Sequence, residues 1–596
     1  MLLSTVDWII VAAYLVFSLV IGVWYAKQAG KSSEHFFAAG KNMPWWLLGI
    51  SMVATTFSTD TPNLVADIVR TQGVAGNWGW WAFLLTGMLT VFVYAQLWKR
   101  SGVLTDVEFY ELRYSGKSAA FLRGFRAIYL GFIFNIIVMA TVSLAAIKIG
   151  SVLMGLTPLQ TILIAGTVTV IYSSLGGLKS ILVTDFFQFF LSLLGGFAAA
   201  YYALQHPDVG GLEGLLTNAN VIPKLNIFPD FSNASEMIGL LIIPLAVQWW
   251  SVYYPGSEPG GGGYIAQRMF AAKNESHSVG AVFFFNAAHF ALRPWPWIIV
   301  GLASLIVFPD IAAMKEAFPS ASGVAANDMA YPAMLTFLPK GLIGLVVASL
   351  IAAYMSTIST HLNWGSSYLV NDFYKRFVRP DSSEKELVLA GRISTLVLMI
   401  FAGALALMMR SALDNFQILL QIGAGTGLIF ILRWFWWRIN AASEIAAMII
   451  SFLVALYFQF LHSYTPLPEF TSWQELITGV IVTTIGWVLT MYLTHPTKQE
   501  KLVEFIKLVK PGGPGWKKVR FKANKEGQTL GETDGWMVPQ GILCMVLGTI
   551  VIYGTLLSTG YWIYGNLIPA ITLTIVTIVS SYLLTISWKK LLKIRS

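Results

Sequence analysis

Two long apolar runs in this 596-residue chain are interrupted by residues that cannot continue a helix. The first reads Thr56-Phe57-Ser58-Thr59-Asp60-Thr61-Pro62 in mid-run. The second reads Tyr254-Pro255-Gly256-Ser257-Glu258-Pro259, followed by Gly260 to Gly263. In lipid a helix satisfies its own backbone, so irregular backbone at membrane depth survives only where it is buried or lines a cavity. Breaks at corresponding places in two halves of a chain point to the binding site of a secondary transporter. The pattern favours a carrier over a membrane enzyme.

Composition sets the class. The chain is 56% hydrophobic and 12% charged, with mean hydropathy +0.66, whereas soluble domains are about 25% charged. Apolar stretches of about 20 residues, enough to cross a bilayer core, recur along most of the length. The fold class is an all-α polytopic membrane protein. The net charge of +9 lies mainly in alternating loops and does not indicate nucleic acid. Cys544 is the only cysteine, so an intrachain disulfide is excluded. The first apolar run has neither the basic start nor the cleavage site of a removed signal peptide and reads as a retained span.

Hydropathy predicts about 15 spans, near 6–25, 45–70, 78–98, 121–153, 159–175, 181–204, 237–264, 279–308, 341–369, 387–409, 416–437, 445–461, 476–493, 539–557 and 567–584. Lysine and arginine gather in every second loop: Lys27 to Lys41, Lys99 to Lys117, Arg268 and Lys273, Lys375 to Arg379, Arg433 and Arg438, the stretch after Lys498, and the tail from Lys589. The opposite loops hold little more than Arg70, Lys224, Lys315, Lys340 and Arg410. By the positive-inside rule the protein lies in the cell membrane with its N-terminus outside and its C-terminus cytoplasmic. An odd number of spans agrees with that. The polar stretch 495–535 reads as a cytoplasmic loop. No complete Walker-type Gly-x-x-x-x-Gly-Lys-Ser/Thr phosphate loop is present, so pumping by ATP hydrolysis within this chain is not expected.

Site chemistry starts in the ninth span, Ala352-Ala353-Tyr354-Met355-Ser356-Thr357-Ile358-Ser359-Thr360. Helical spacing puts Ala353, Ser356, Ser359 and Thr360 on one face, with Thr357 at its edge. Such a ladder supplies hard, neutral oxygens suited to sodium, and the broken second span adds the free carbonyls of Ala54 and Phe57. Hydroxyls also glue membrane helices together; four on one stripe opposite a broken helix favour ion binding. Asp185 is an intramembrane acid and hence a functional candidate. Asp60 sits at the first break, where orphan backbone donors favour a carboxylate. Asp67 and Arg70 read as an outer gate or surface pair. His289 and Gln421 fall at membrane depth. Trp80, Trp249, Tyr253 and Tyr254 cluster near the breaks, as interface anchors or as faces for a solute.

At these residues the chain resembles the solute:sodium symporter family, which includes sodium-coupled galactose, proline, sialic acid and iodide carriers. The matching stretches are Gly102-Val103-Leu104-Thr105-Asp106-Val107-Glu108-Phe109, Gly176-Gly177-Leu178 with Thr184-Asp185 and Gln188, Gln267-Arg268 with Ala271-Ala272-Lys273, and Ala352 through Ser367 with Asp372. The resemblance covers roughly the first 440 residues. It implies a LeuT-type core of two inverted five-helix repeats, at about 41–205 and 235–440. An extra span in 1–40 precedes the core and four accessory spans in 441–596 follow it.

Residue by residue, the resemblance assigns one sodium to Ala54, Phe57, Ala353, Ser356 and Thr357. A second sodium, as in some members, falls to Asp185, Ser356, Ser359 and Thr360. Asp60, Thr61, Trp80, Phe83, His289 and Gln421 would face the solute. The sugar-carrier pattern is altered here, with an aromatic in the third span and histidine in place of lysine. The glycine-rich segment around Glu258 is unlike the better-known members. The expected function is a sodium-coupled symporter, with one or two Na+, importing a small polar organic solute across the lipid bilayer by alternating access. The residues leave open a proton-coupled carrier using His289 and Asp185, an uncoupled carrier or channel, and a transporter-like solute sensor.

Overall fold

Twelve helices among the described residues are long and apolar enough to cross a membrane. The computed structural model describes residues 3–409, 411–528, 530 and 536–595. Arg410 and the end of the polar stretch, 531–535, lie outside them.

In chain order the helices are α1 (Thr5–Ala29), α2 (Trp45–Thr56), α3 (Asp60–Gln72), α4 (Val74–Ser101), α5 (Gly116–Met154) and α6 (Pro158–Leu204). Then come α7 (Ala234–Ser251), α8 (Gly263–Ala271), α9 (Glu275–Val307), α10 (Leu342–Val378), α11 (Glu384–Ala406), α12 (Ala412–Gly423) and α13 (Gly427–Leu432). Last are α14 (Ala441–Tyr464), α15 (Ser472–Leu493), α16 (Val538–Ile563) and α17 (Leu567–Arg595). α2 and α10 form the buried centre, and every residue of 352–367 in α10 is buried. The rim is apolar and open, with Trp24 of α1 76% and Ile568 of α17 83% exposed, as expected of a surface solvated by lipid.

The expected breaks are present, each with a local cause. α2 ends where the Phe57 amide turns back to the Ala54 carbonyl at 3.1 Å. Pro62, the third residue of α3, has no N–H to give and blocks a continuous helix. Hydroxyls replace missing helical donors: Thr56 donates to the carbonyls of Met52 and Val53 at 3.1 and 3.0 Å, and Thr61 to that of Thr56 at 3.2 Å.

Between α7 and α8 the chain unwinds. Gly256, Gly260 and Gly261 have φ of 80°, 77° and 77°, a region costly for residues with a Cβ. Val252 pairs antiparallel with Ala424, with Tyr253 N–H donating to Gly423 at 3.1 Å and Gly425 N–H to Ser251 at 2.9 Å. A third break, between α12 and α13, thus satisfies the second through the backbone. Three glycines in Gly423-Ala424-Gly425-Thr426-Gly427 are its sequence signal.

α6 is bent at Gly177, where φ is 59° and ψ −165°, so its two arms follow the separate runs expected at 159–175 and 181–204. Asp7 of α1 accepts from the Gly341 and Gly344 amides at 2.7 and 2.9 Å, pinning the first helix to the start of α10.

The stretch 495–535 is more than the plain loop expected. It holds helices Gln499–Val509 and Lys517–Lys525. Leu502, Val503, Phe505 and Ile506 give the first a buried face, and Trp516 donates to the Trp434 carbonyl at 3.0 Å. The positive-inside reading counted Arg268 and Arg433 as loop charges. Both are buried: Arg268 lies within α8, and Arg433 lies over the Phe109 ring and pairs with Glu444 at 3.4 Å.

Candidate functional site

Thr357 of α10 ties the first break to the helix opposite it. Its hydroxyl donates to the Thr55 carbonyl at 2.7 Å and to the Ala353 carbonyl at 3.1 Å. Three neutral oxygens, two of them carbonyls, therefore meet where α2 ends. Ala353 and Thr357 of the predicted first sodium set are together here. The carbonyl they meet is that of Thr55, one residue from the expected Ala54, whose own carbonyl accepts from Phe57. Ser356 points elsewhere and donates to Asp185 at 2.6 Å.

Asp185 is fully buried between three elements. Its two oxygens accept from Ser356 of α10 and, at 2.5 Å, from Ser51 of α2. Arg268 of α8 supplies the opposite charge at 3.9 Å. The same guanidinium donates to Thr360 at 2.7 Å, to Thr55 at 3.3 Å and to Ser51 at 3.2 Å. Ser359 is one step away, accepting from Tyr172 at 2.6 Å. The structure thus brings Asp185 and Ser356 together and joins Thr360 to them through Arg268. Sequence reasoning quoted Arg268 within a motif and missed that it belongs to this cluster. The signal was an intramembrane acid without a named partner, because a buried charge requires one.

Beside Thr357 opens a cavity of about 120 Å³. Asp60, Thr61, Trp80, Phe83, Tyr254 and His289 all line it, as do Thr55 and Thr357. Predicted solute residues from both breaks, Asp60 and Thr61 at the first and Tyr254 at the second, therefore share one space, and the ion-type oxygens border it. Phe83 stacks on Tyr254 at 5.1 Å, and Trp80 meets His289 edge-on at 5.7 Å.

Three predicted residues do not line this space. Gln421 donates to Glu475 and faces another cavity beside Trp473. Trp249 turns its indole to the Leu245 carbonyl at 3.0 Å, while its own carbonyl accepts from Thr86. Tyr253 packs against Phe430 and Arg126. The backbone pairing at Val252 and Ala424 turns this part of the chain, so neighbours in sequence face different spaces. Arg70 is buried as well, donating to Ser304 and Asn327.

Further bonds join the matching stretches to one another. Thr105 donates to Asp372 at 2.6 Å, and Arg123 holds Asp372 at 2.7 Å and Glu111 at 2.8 Å. Asp106 accepts from the Gly263 amide at 2.9 Å and from Tyr368. Gln267 reaches Asn363 at 2.8 Å.

Residues 36–451 match the Sodium:solute symporter family. The chain belongs to that family. It is a multi-pass membrane symporter for sodium and a solute, and not an enzyme. The symporter is 28% identical over 504 residues to a sodium/glucose cotransporter of Vibrio parahaemolyticus, covering 80% of this chain and 90% of that one. It is 26% identical over 499 residues to sodium/glucose cotransporter 1 of Ovis aries, with 76% and 71% covered. Similarity to sodium/myo-inositol cotransporter 2 of Oryctolagus cuniculus is 27% over 478 residues, with 75% and 69% covered. Its fold matches the substrate-bound, outward-open structure of a Na+-coupled sialic acid symporter, with TM-score 0.63 and 20% identity, over 83% of this chain and 99% of that one.

Proposed function

We propose that this symporter imports a small polar organic solute into the cell by alternating access, driven by the sodium gradient. One observation carries the reading: Thr357 lines the cavity shared by Asp60, Trp80 and His289, and the same hydroxyl bridges the carbonyls of Thr55 and Ala353. Sodium at Ala54, Phe57, Ala353, Ser356 and Thr357 would take over that bridge and hold the break rigid. The solute would sit beside it against Asp60, Thr61, Trp80, Tyr254 and His289. Asp185, Ser356, Ser359 and Thr360 are the proposed place for a second sodium, which would have to share Asp185 with Arg268.

The architecture proposed with this reading is a LeuT-type core. The twelve long helices, the two arms of α6, and the broken pairs α2/α3 and α12/α13 together give fifteen crossings in the cell membrane. The repeats are about 41–205 and 235–440, with α1 before them and α14 to α17 after. An odd count puts the termini on opposite sides, and the positive-inside rule then puts the N-terminus outside and the basic loops in the cytoplasm.

The test is uptake into sealed proteoliposomes. An inward sodium gradient should drive accumulation of the solute, and potassium or a proton gradient should not. Accumulation driven equally by protons, or mere equilibration regardless of sodium, would overturn the reading.

A further inference from the structure

We propose that the solute is an organic cation, with an ammonium group seated against Asp60 between aromatic walls. The proposal rests on the symport reading of the same cavity and names its substrate class.

Asp60 lines the cavity, and its Oδ1 is buried without a hydrogen-bond partner. Among the described residues no cationic side chain stands within ion-pair distance of this carboxylate. Arg293 is the nearest candidate, and its charge reaches Asp60 only from beyond that distance. Its Nη1 has no hydrogen-bond partner, and its other nitrogens are committed elsewhere. It donates to the His289 carbonyl at 3.2 Å and to the His289 ring, and it lies over Phe57 and Trp297 at 5.4 and 5.2 Å. It does not line the cavity. The space therefore presents a carboxylate oxygen with no donor, and a buried acceptor of that kind demands one from the ligand.

The walls narrow the donor. Phe83 stacks on Tyr254, and Phe416 meets Tyr254 edge-on at 5.3 Å. Trp80, one helical turn before Phe83, stacks on Phe290 at 5.8 Å. Ring faces carry negative potential and attract a cation most strongly where water is excluded. Aromatic faces around a single carboxylate form a seat for an ammonium group.

A polyol would need a different lining. Sugars are held by planar amides and charged forks that bond neighbouring hydroxyls in pairs. No Asn or Gln side chain lines this space, and Gln421 is turned to Glu475.

The experiment measures equilibrium binding of radiolabelled choline to the full-length protein in lipid nanodiscs at saturating sodium. Competitors are 3,3-dimethylbutan-1-ol, which replaces the charged nitrogen by carbon, and glucose. Choline is expected to bind, with its neutral isostere at least tenfold weaker. Asp60→Asn should lower choline affinity at least tenfold while sodium still raises the melting temperature. Tyr254→Leu should weaken choline more than the isostere, which tests the wall independently if Asp60→Asn does not fold. Equal binding of the isostere, glucose displacing radiolabelled choline as well as unlabelled choline does, or no choline binding at all would overturn the proposal. Loss of the sodium response in Asp60→Asn would also overturn it, by making Asp60 an ion ligand. Asp60-dependent choline binding that is identical in sodium and potassium would uphold the cation site and defeat the symport reading.

Discussion

Arg268 and Asp185 face each other at 3.9 Å with both side chains fully buried, the only opposite charges joining α8 to α6 among the described ion pairs. Removing one partner of a buried pair costs about 3–5 kcal/mol, because the other is left uncompensated. Asp185→Asn should therefore lower the melting temperature sharply, and adding Arg268→Met should recover part of it. Thermal unfolding of both single variants and the double variant measures the coupling. Additive losses would show that the pair contributes no interaction. In the fraction that folds, Asp185→Asn should also lower the Hill coefficient for sodium if a second ion binds here.

Thr357 and Ser356 are adjacent but serve different partners, and their alanine variants should separate. Thr357→Ala removes the hydroxyl bonded to the Thr55 and Ala353 carbonyls. It should weaken sodium dependence of uptake at least tenfold. Ser356→Ala removes a donor to Asp185 as well as a proposed sodium ligand. It should therefore lower the melting temperature in addition to weakening sodium dependence, whereas Thr357→Ala should leave the melting temperature nearer wild type. If the double variant kept wild-type sodium dependence, the assignment of the first sodium set would fail.

Backbone pairing of the second and third breaks makes Gly423 intolerant. A Cβ there would lie 2.2 Å from the Tyr253 carbonyl oxygen. Gly423→Ala should abolish monodisperse protein on size exclusion. Gly102→Ala meets no neighbour within 4 Å, although φ is 69°, so it carries only the left-handed backbone cost of about 1–2 kcal/mol. Comparable yields from the two variants would remove the pairing as a structural requirement.

Glu111, in the short helix Phe109–Arg113 outside the spans, should set an acid limit on stability. Burial raises its pKa, but hydrogen bonds from Arg376 and Arg123 outweigh this and hold it below its ordinary value of 4.5. A carboxylate with a depressed folded pKa stabilises fully above the unfolded value and loses that contribution as pH falls through the folded one. Melting temperature should drop below about pH 4.5, and Glu111→Gln should flatten that drop. An unchanged acid limb in Glu111→Gln would show that other carboxylates set it.

Much of this was legible because membranes are strict about backbone. Pro62 and the run Gly260 to Gly263 announce non-helical chain wherever they fall in an apolar stretch. Ala353 and Thr357 follow from helical spacing. What stayed hidden depended on partners distant in sequence. Arg268 looked like a loop charge because nothing in α8 alone reveals that Asp185 lies opposite. Gln421 looked like a solute ligand because its depth was right, while its direction is set by Glu475 on α15. The helices in 495–535 were missed because their few apolar residues only make sense against Phe109 and Trp434.

The non-helical link between α2 and α3 is only three residues long, from Phe57 to Thr59. At one end lie the oxygens proposed for sodium, and at the other the carboxylate proposed for the solute. A link this short cannot be ordered at one end and left loose at the other. Whatever factor sodium contributes to solute affinity, the solute must return to sodium affinity in equal measure. Substitutions that loosen this link should therefore degrade both affinities together, so that ion and solute selectivity cannot be tuned independently there.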